Sequence, residues 1–246
     1  MDRVLYVMAS GARQVMRAQA LNSHNLANIN TVGFQADLAN FTSQTVYGPG
    51  HESRTYAVAQ DAGARFDKGT IQSTGRPLDV AVTGNGWLSV QAADGTEAYT
   101  RAGNLRVNIN GQLITGAGYP VMGDTGPILV PEYQNLEIGV DGTVSIQPIG
   151  QQANTLAEIG RIKMVSPDQQ EMVKGSDGLL RSRGGAPLEP SSDVELVSGS
   201  LESSNVNGIE AMVNMIDLAR SFELSVQVMQ TAREMDERTT KLMEIG

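Results

Sequence analysis

The sequence predicts an α+β protein with a β-rich central domain of short antiparallel strands. Long N- and C-terminal α-helices flank that domain and are expected to pack as a coiled-coil-like helical layer. All nine prolines lie between Pro49 and Pro190, so the strongest helix breakers are confined to the middle of the chain. The two ends carry apolar residues at helical spacing, whereas the middle alternates apolar and polar residues between glycine-containing turns.

These patterns divide the chain into four segments. They are an N-terminal amphipathic helix with its Asn/Gly stop (1–34), an extended connector (35–75), the central β domain (76–195) and a C-terminal amphipathic helix (196–246). The 246 residues are enough for one large domain or two modest ones.

The first segment is predicted to be helical over about residues 2–28. Its apolar positions recur every three or four residues and include Leu5, Met8 and Val15. The stretch VLYVMASGA resembles the apolar core of a signal peptide, but Asp2 and Arg3 cancel in front of it and the amphipathic pattern continues beyond it. We therefore expect no cleaved signal peptide. No window is apolar and long enough to predict insertion into a membrane.

The polar stretch HNLANINTVGFQ (24–35) follows this helix. Asparagine and glycine tolerate left-handed backbone, and asparagine side chains can bond free carbonyl groups, so Asn28, Asn30 and Gly33 are expected to end the helix. Phe34 then provides an apolar anchor for the departing chain. The stretch is predicted to be a joint between two elements and not an active site.

The middle of the chain is predicted to consist of hairpins. Residues 104–114 (NLRVNINGQLI) and 135–146 (NLEIGVDGTVSI) resemble each other, since both alternate on either side of an Asn-Gly or Asp-Gly pair. Such pairs supply the positive φ angles that type I′ turns require, so we predict two hairpins with type I′ turns. Further strands are expected at 78–84 and 159–165, and the absence of alternating helical patterns argues against a parallel sheet. Residues 35–75, rich in small and polar residues, are expected to be an extended connector.

The C-terminal segment has the clearest helical pattern. Asn207 can cap its start, and neither glycine nor proline interrupts the 37 residues from Ile209 to Ile245, which would span about 55 Å. One apolar stripe comprises Met215, Leu218, Phe222, Val226 and Met229, and a second face begins with Ile209, Met212, Val213 and Ile216. Because both faces together are wider than a two-helix seam, the helix is expected to need neighbours on more than one side. The alternative is a helical hairpin within a single chain.

Composition argues against several classes of function. A formal net charge of −9 does not provide the basic surface that binds nucleic acid, so no nucleic-acid partner is expected. His24 and His51 are the two histidines and there is no cysteine, which leaves too few ligands for a typical zinc site. The segment Gly84-Asn85-Gly86 lacks the third glycine of a dinucleotide-binding fingerprint. We therefore expect no catalytic residues, no cofactor and no metal site.

A cell-wall-binding or hydrolytic β module is the alternative from a different class of function. Two carboxylates of the β domain could in principle catalyse glycoside hydrolysis. Aromatic residues make up only 4% of the chain, which leaves few side chains to stack on a sugar. This alternative is therefore the weaker one.

Four stretches resemble the flagellar rod and hook proteins. HNLANINTVGFQ resembles their Asn-Asn-Leu-Ala-Asn…Thr…Gly-Phe-Lys segment, and GRPLDVAVTGNGWLSVQAADGTEAYTRAGNL resembles the opening of their central domain. GQLITGAGYPVMGDTGPILVP is similar to the continuation of that domain, and SNVNGIEAMVNMIDLARSFEL to their C-terminal helix. The resemblance covers nearly the whole chain, in the same order. His24 and Gln35 depart from it, because the family usually has Asn and Lys there.

The resemblance implies a structural subunit of the flagellar basal body, exported by the flagellar type III apparatus and assembled in the periplasm into the rod that transmits torque to the hook. The start MDRVLYVMASGA and the modest length are most like a proximal-rod subunit, with a distal-rod subunit as the alternative. Implied partners are other rod proteins, copies of the same chain and the export apparatus. The terminal helices would form an inner tube with the β domain outside. The expected assembly interface comprises Leu5, Met8, Val15, Asn25, Leu26, Asn28, Gly33, Phe34, Met212, Met215, Leu218, Phe222, Val226 and Met229.

Overall fold

The computed structural model describes residues 2–45, 55–150 and 156–244. The chain divides into two compact units, which we name the helical unit (residues 1–28, 37–63 and 206–246) and the β unit (residues 29–36 and 64–205). Both ends of the chain therefore belong to the helical unit. The α+β class and the short antiparallel strands predicted from the sequence are confirmed.

Helices α1 (Asp2–Ala27) and α2 (Gly208–Glu244) lie where the two terminal helices were predicted. The side chain of Asn207 caps α2, because its Oδ1 accepts hydrogen bonds from the backbone N–H groups of Ile209 and Glu210 at 3.1 and 3.3 Å. A capped start and an uninterrupted helical interior explain why this 37-residue helix forms.

The two helices of the helical unit pack against each other as an antiparallel pair. Near the end of α1, Nδ2 of Asn22 donates a hydrogen bond of 2.6 Å to the carbonyl of Ala211 at the start of α2. The described residues buried in this unit are all small: Ser10, Ala12, Ala18, Ala211 and Ala232. Beyond Ala232, every side chain of α2 as far as Lys241 is exposed. The pair corresponds to the hairpin within one chain that the sequence left open.

Part of the segment expected to be an extended connector forms strands. β1 (Asp37–Thr45) and β2 (Thr55–Ala64) pair in a two-stranded sheet, and β1 also contacts α1. After Thr55, β2 has the short apolar run 56–59 (YAVA), whereas β1 has only scattered apolar residues, so neither strand shows the strict alternation that predicts a half-buried strand. His51 lies outside the described residues.

The described residues of the β unit form short strands and a 3₁₀ turn at Gln169–Glu171. Its strands are β3 (Ile71–Ser73), β4 (Val80–Thr83), β5 (Trp87–Gln91), β6 (Glu97–Thr100), β7 (Leu105–Val107), β8 (Leu113–Thr115), β9 (Met122–Gly123), β10 (Gly126–Pro127), β11 (Tyr133–Ile138), β12 (Thr143–Pro148), β13 (Ala157–Arg161), β14 (Met164–Val165), β15 (Met172–Lys174), β16 (Leu180–Ser182), β17 (Glu195–Ser198) and β18 (Ser200–Glu202).

All described strand pairs of the β unit are antiparallel. A five-stranded sheet has the order β14-β5-β6-β16-β15, and a three-stranded sheet has the order β11-β12-β13. β7–β8 and β9–β10 are local hairpins, whereas β17 and β18 return to pair with β4 and β3. The main core is formed by large apolar side chains that include Leu88, Leu105, Leu113 and Ile162.

The two predicted hairpins form, but the prediction of type I′ turns is wrong. In the first, Gly111 has φ +75° and its N–H donates to the carbonyl of Asn108, while no described non-glycine residue has a positive φ. In the second, Gly142 has φ +86° and donates to Gly139. A type I′ turn needs two residues at positive φ. These loops therefore have one residue more, with a type I turn followed by a left-handed glycine.

Candidate functional site

The polar stretch after α1 ends the helix through its own side chains. The backbone N–H of Asn28 donates to the carbonyl of His24 at 3.2 Å, and Nδ2 of Asn28 donates to the same carbonyl at 2.9 Å. Both bonds satisfy a carbonyl that the end of a helix would leave free. Asn28 thus bonds to the last turn of α1 through its side chain, whereas neither Asn28 nor Asn30 adopts the left-handed backbone that the sequence suggested.

Asn25 joins the end of α1 to the start of β1 within the helical unit. Its Nδ2 donates to the carbonyl of Asp37 at 2.8 Å, and its Oδ1 accepts from the N–H of Asp37 at 2.8 Å. Nδ1 of His24 lies 2.8 Å from Oδ2 of Asp37. One amide side chain therefore pairs with both backbone groups of a residue twelve positions later, as a neighbouring strand would.

Between Asn28 and Asp37 the chain contributes residues 29–36, which we name the strap, to the β unit. Gly33 has φ +64°, and a Cβ atom there would clash with the backbone of Arg101 and Ala102. Its N–H donates to the carbonyl of Glu202 at 2.8 Å. Only glycine meets both the left-handed conformation and the close approach.

Two contacts with Lys174 hold the end of the strap. Its Nζ donates to the carbonyl of Gln35 at 2.6 Å and lies 4.2 Å from the centre of the Phe34 ring. A cation over an aromatic face contributes about 0.5–2 kcal/mol, depending on how dry the site is. The sequence predicted an apolar anchor at Phe34, and the contact that the structure shows for its ring is with the cation of Lys174.

A buried ion pair lies beneath the strap. The side chains of Arg101 and Glu202 are 2% and 1% exposed, and Nη1 of Arg101 lies 3.1 Å from both carboxylate oxygens. Nη2 donates to the carbonyl of Gly84 at 2.9 Å, and the guanidinium group lies 4.7 Å from the centre of the Trp87 ring. Removing one member of such a pair leaves an uncompensated charge, at a cost of about 3–5 kcal/mol.

The predicted interface residues occupy several environments. In α1, the side chains of Leu5, Met8, Val15, Asn25 and Leu26 are half-buried, as is Asn28 just after the helix. In α2, the stripe Met215, Leu218, Phe222, Val226 and Met229 is half-buried, whereas Met212 is exposed. Gly33 and Phe34 lie in the β unit, where Gly33 is buried.

The helical unit also carries an exposed apolar face on α2. We name it the outer face and define it as Ile209, Met212, Val213 and Ile216, whose exposed fractions run from 52% to 78%. Their spacing places all four on one side of the helix. Large apolar side chains gathered on one face indicate a surface for another protein, because scattered single ones would be ordinary.

Shifted pKa values in the β unit have structural causes. Two hydrogen bonds from Arg181, at 2.9 and 2.7 Å, hold the pKa of Asp177 below its usual range, and the same pairing raises the pKa of Arg181. A hydrogen bond from the Thr96 hydroxyl lowers the pKa of Asp94. Burial raises the pKa of Tyr99 to about 12. These groups strengthen turns and the core of the β unit.

Two further properties concern the described part of the chain. Within it, no three His, Cys, Asp or Glu side chains cluster closely enough to hold a metal ion. Neither of its helices has the length combined with the apolar character needed to cross a membrane.

Sequence reasoning missed Arg101, Lys174, Glu202 and Asn205. Arg101 falls inside the quoted motif that ends TRAGNL, and Asn205 inside the motif that begins SNVNG, but their partners lie far away in the sequence. The neighbours of Arg101, Thr100 and Ala102, give no local sign that this arginine is buried with a partner.

Comparison with known proteins extends over the whole chain. Residues 81–146 match the family model described as the flagellar hook protein FlgE/F/G D1 domain, and residues 197–242 match the flagellar basal body rod FlgEFG protein C-terminal model. The chain is similar to the flagellar basal-body rod protein FlgF of Salmonella typhimurium, with 41% identity, and to that of Escherichia coli, with 39% identity. Each alignment covers 100% of both chains.

A relative with a different name also matches. The flagellar basal-body rod protein FlgG of Bacillus subtilis is 32% identical, over 95% of this chain and 96% of its own length. Three findings agree with one another. They are the order of the motifs, the presence of a helix at each end of the sequence with the strands of the β unit between them, and the sequence identity to rod proteins along the full length. The chain belongs to the family of flagellar basal-body rod proteins.

Proposed function

We propose that the chain is a structural subunit of the bacterial flagellar rod, without enzymatic turnover, that transmits torque from the motor towards the hook. Within the rod family it is most like the proximal-rod subunits. Two observations together carry the proposal. The chain is 41% identical in sequence to a rod protein over the full length, and a terminal helix has an exposed apolar face. Exposure of such a face to water is unfavourable, and the free energy falls when a neighbour covers it.

The proposed partners are copies of the same chain and other rod proteins, which would cover the terminal helices. Each large side chain of the outer face would contribute on the order of 1.5–3 kcal/mol on full burial. Delivery by the flagellar type III export apparatus, without cleavage of a signal peptide, completes the proposal. The subunit would then act in the periplasmic part of the basal body.

The first experiment deletes the gene and examines swimming together with isolated basal bodies in the electron microscope. We expect non-motile cells whose membrane rings lack a completed rod, with rescue by the intact gene. Motile cells with complete rods would contradict the proposed function. The same images test the distal-rod alternative. Rings bearing a short rod, and not bare rings, would support that alternative.

The second experiment tests the outer face by introducing a charge. Ile216→Asp replaces an exposed apolar side chain of α2 and should leave the free protein folded. Assembly would bury the new carboxylate without a partner, at a cost of several kcal/mol, so we expect it to fail to enter rods. Asn214→Asp adds the same charge at an exposed polar position of the same helix and is the matched control. Normal incorporation of Ile216→Asp would show that the outer face is not an assembly surface.

A further inference from the structure

Three segments of the β unit lie side by side, and each is covalently continuous with the helical unit: the strap, residues 64–70 and residues 202–205. The last of these bonds to both of the others. On one side, the N–H of Gly33 donates to the carbonyl of Glu202 at 2.8 Å. On the other side, the N–H of Ser203 donates to the carbonyl of Thr70 at 2.9 Å.

The side chain of Asn205 bonds to both neighbouring segments. Its Oδ1 accepts from the N–H of Ala36 in the strap at 2.8 Å. Its Nδ2 donates to the carbonyls of Arg65 and Asp67 at 2.7 and 2.8 Å. The N–H of Arg65 in turn donates to the carbonyl of Ala36 at 2.7 Å, which closes a ring of hydrogen bonds around this one amide.

The buried ion pair fixes the middle segment from below. Oε1 of Glu202 accepts from the N–H of Gly69 at 2.9 Å, while both of its carboxylate oxygens contact Arg101. Gly69 approaches so closely that a Cβ atom would clash with the carbonyl of Ser203. Backbone, amide and carboxylate contacts therefore join the three segments. The close approach at Gly69 leaves no space for the segments to shift relative to one another.

We propose that Asn205 is a positioning residue that ties the strap and residues 64–70 to residues 202–205. A force applied to any one of these covalent links is then shared among the three segments. It therefore does not detach one segment alone from the β unit. The mechanical part of this inference rests on the proposed function as a torque-bearing subunit. The positioning part concerns the isolated protein and stands independently.

The test compares amide hydrogen exchange of the full chain in Asn205→Asp and Asn110→Asp. Aspartate at 205 retains the acceptor for Ala36 but loses both N–H donors and faces two carbonyl oxygens with a negative charge. Loss of these two hydrogen bonds, with the repulsion that replaces them, should accelerate exchange at Gly33, Ala36 and Arg65 by about 10- to 100-fold. Amides of the main core, such as that of Leu113, should keep their protection.

Asn110→Asp is the matched control because it makes the same chemical change in the same unit. Asn110 is exposed in a turn, and the corresponding turn position elsewhere in the unit is occupied by Asp94, Asp141 and Asp177. We expect no change in exchange at the strap for this variant. Equal acceleration by both variants would overturn the proposal.

Two other outcomes of the exchange experiment would also contradict the proposal. Uniform loss of protection in Asn205→Asp, including complete unfolding, would mean that Asn205 supports the whole unit and does not position three segments. Unchanged protection would mean that it positions nothing. Gly33→Ala is the second variant, and it should expose the same strap amides, because it displaces the strap without touching Asn205.

The mechanical part is tested in cells carrying Asn205→Asp in place of the natural gene. We expect rods to assemble and swimming to fail as the viscosity of the medium, and so the torque, is raised. Cells with Asn110→Asp should swim as the parent does at every viscosity. Equal swimming of the two strains under load would overturn load sharing, whereas a motile gene deletion would instead overturn the proposed function.

Discussion

The helical unit and the β unit bury side chains of very different size. In the described part of the helical unit, only alanines and one serine are buried, whereas large apolar side chains such as those of Met16, Ile209 and Met212 are exposed. The β unit buries leucines, isoleucines, valines and a tryptophan completely or nearly so. Each buried large side chain contributes on the order of 1.5–3 kcal/mol, whereas an alanine methyl contributes much less.

Because of this difference, we expect the β unit to be stable by itself and the helical unit to need contacts with neighbouring subunits. The antiparallel helix pair closes around small residues, which allows the helices to approach but removes little apolar surface from water. The outer face of α2 and its exposed end beyond Ala232 keep their apolar and charged groups in solvent. We therefore expect the helical unit to gain much of its stability when neighbouring subunits cover it.

The largest expected effect comes from opening the core of the β unit. Leu196 in β17 is 1% exposed, whereas the next residue, Val197, is 42% exposed. Leu196→Ala should lower the free energy of unfolding by about 2–5 kcal/mol, and Val197→Ala by less than about 1 kcal/mol. Denaturant unfolding of the full chain, followed by the fluorescence of Trp87, measures both. Similar losses for the two variants would mean that β17 does not close the core.

An intermediate effect is expected at the strap. Gly33→Ala places a side chain at positive φ and against the backbone of Arg101, so it should cost about 2–3 kcal/mol. Gly95→Ala is the control, because Gly95 has φ +83° with open space around its Cβ position and should cost only about 1 kcal/mol. Thermal unfolding of both variants gives the comparison. Equal costs would mean that the close approach at Gly33 is unimportant.

The smallest effect concerns the surface pair of Asp177 and Arg181. Because Arg181 lowers the pKa of Asp177 in the folded protein, the stabilisation is complete above the usual carboxyl pKa of about 3.9 and is lost as the pH falls through the lowered value. Arg181→Gln should therefore cost about 0.5–1 kcal/mol at pH 7 and progressively less below about pH 4.

Unfolding of the parent and the variant across pH 2–8 measures this difference. Arg106→Gln removes an exposed arginine of β7 and is the control, with an expected change under about 0.5 kcal/mol. A difference for Arg181→Gln that persists unchanged in acid would show that the pair acts through packing and not through charge.

Local patterns allowed much of the fold to be predicted. The cap at Asn207 and the helix stop at Asn28 depend on side chains a few residues from the groups they bond, so their sequence spacing was sufficient. The hairpin turn at Gly111 was placed correctly, but its type was not. Whether the turn needs a second residue at positive φ depends on the number of residues in the loop. The alternation of apolar and polar residues does not define that number to better than one residue.

Non-local contacts could not be predicted in this way. The pairing of β3 with β18 joins Ile71 to Glu202, and nothing in either short segment specifies the other. The partner of Arg101 is 101 positions away, and the three bonds of the Asn205 side-chain amide depend on where three segments meet. Such contacts follow from the completed fold, so a single sequence carries no local signal for them.

Amide hydrogen exchange of the free, full-length protein tests the contrast between the two units most directly. We predict that amides of α1 and α2 exchange at least about 100-fold faster than core amides of the β unit such as those of Leu88 and Leu113. Equal protection of the helices and the β core in the free chain would contradict the account, because the helical unit would then be stable without neighbours.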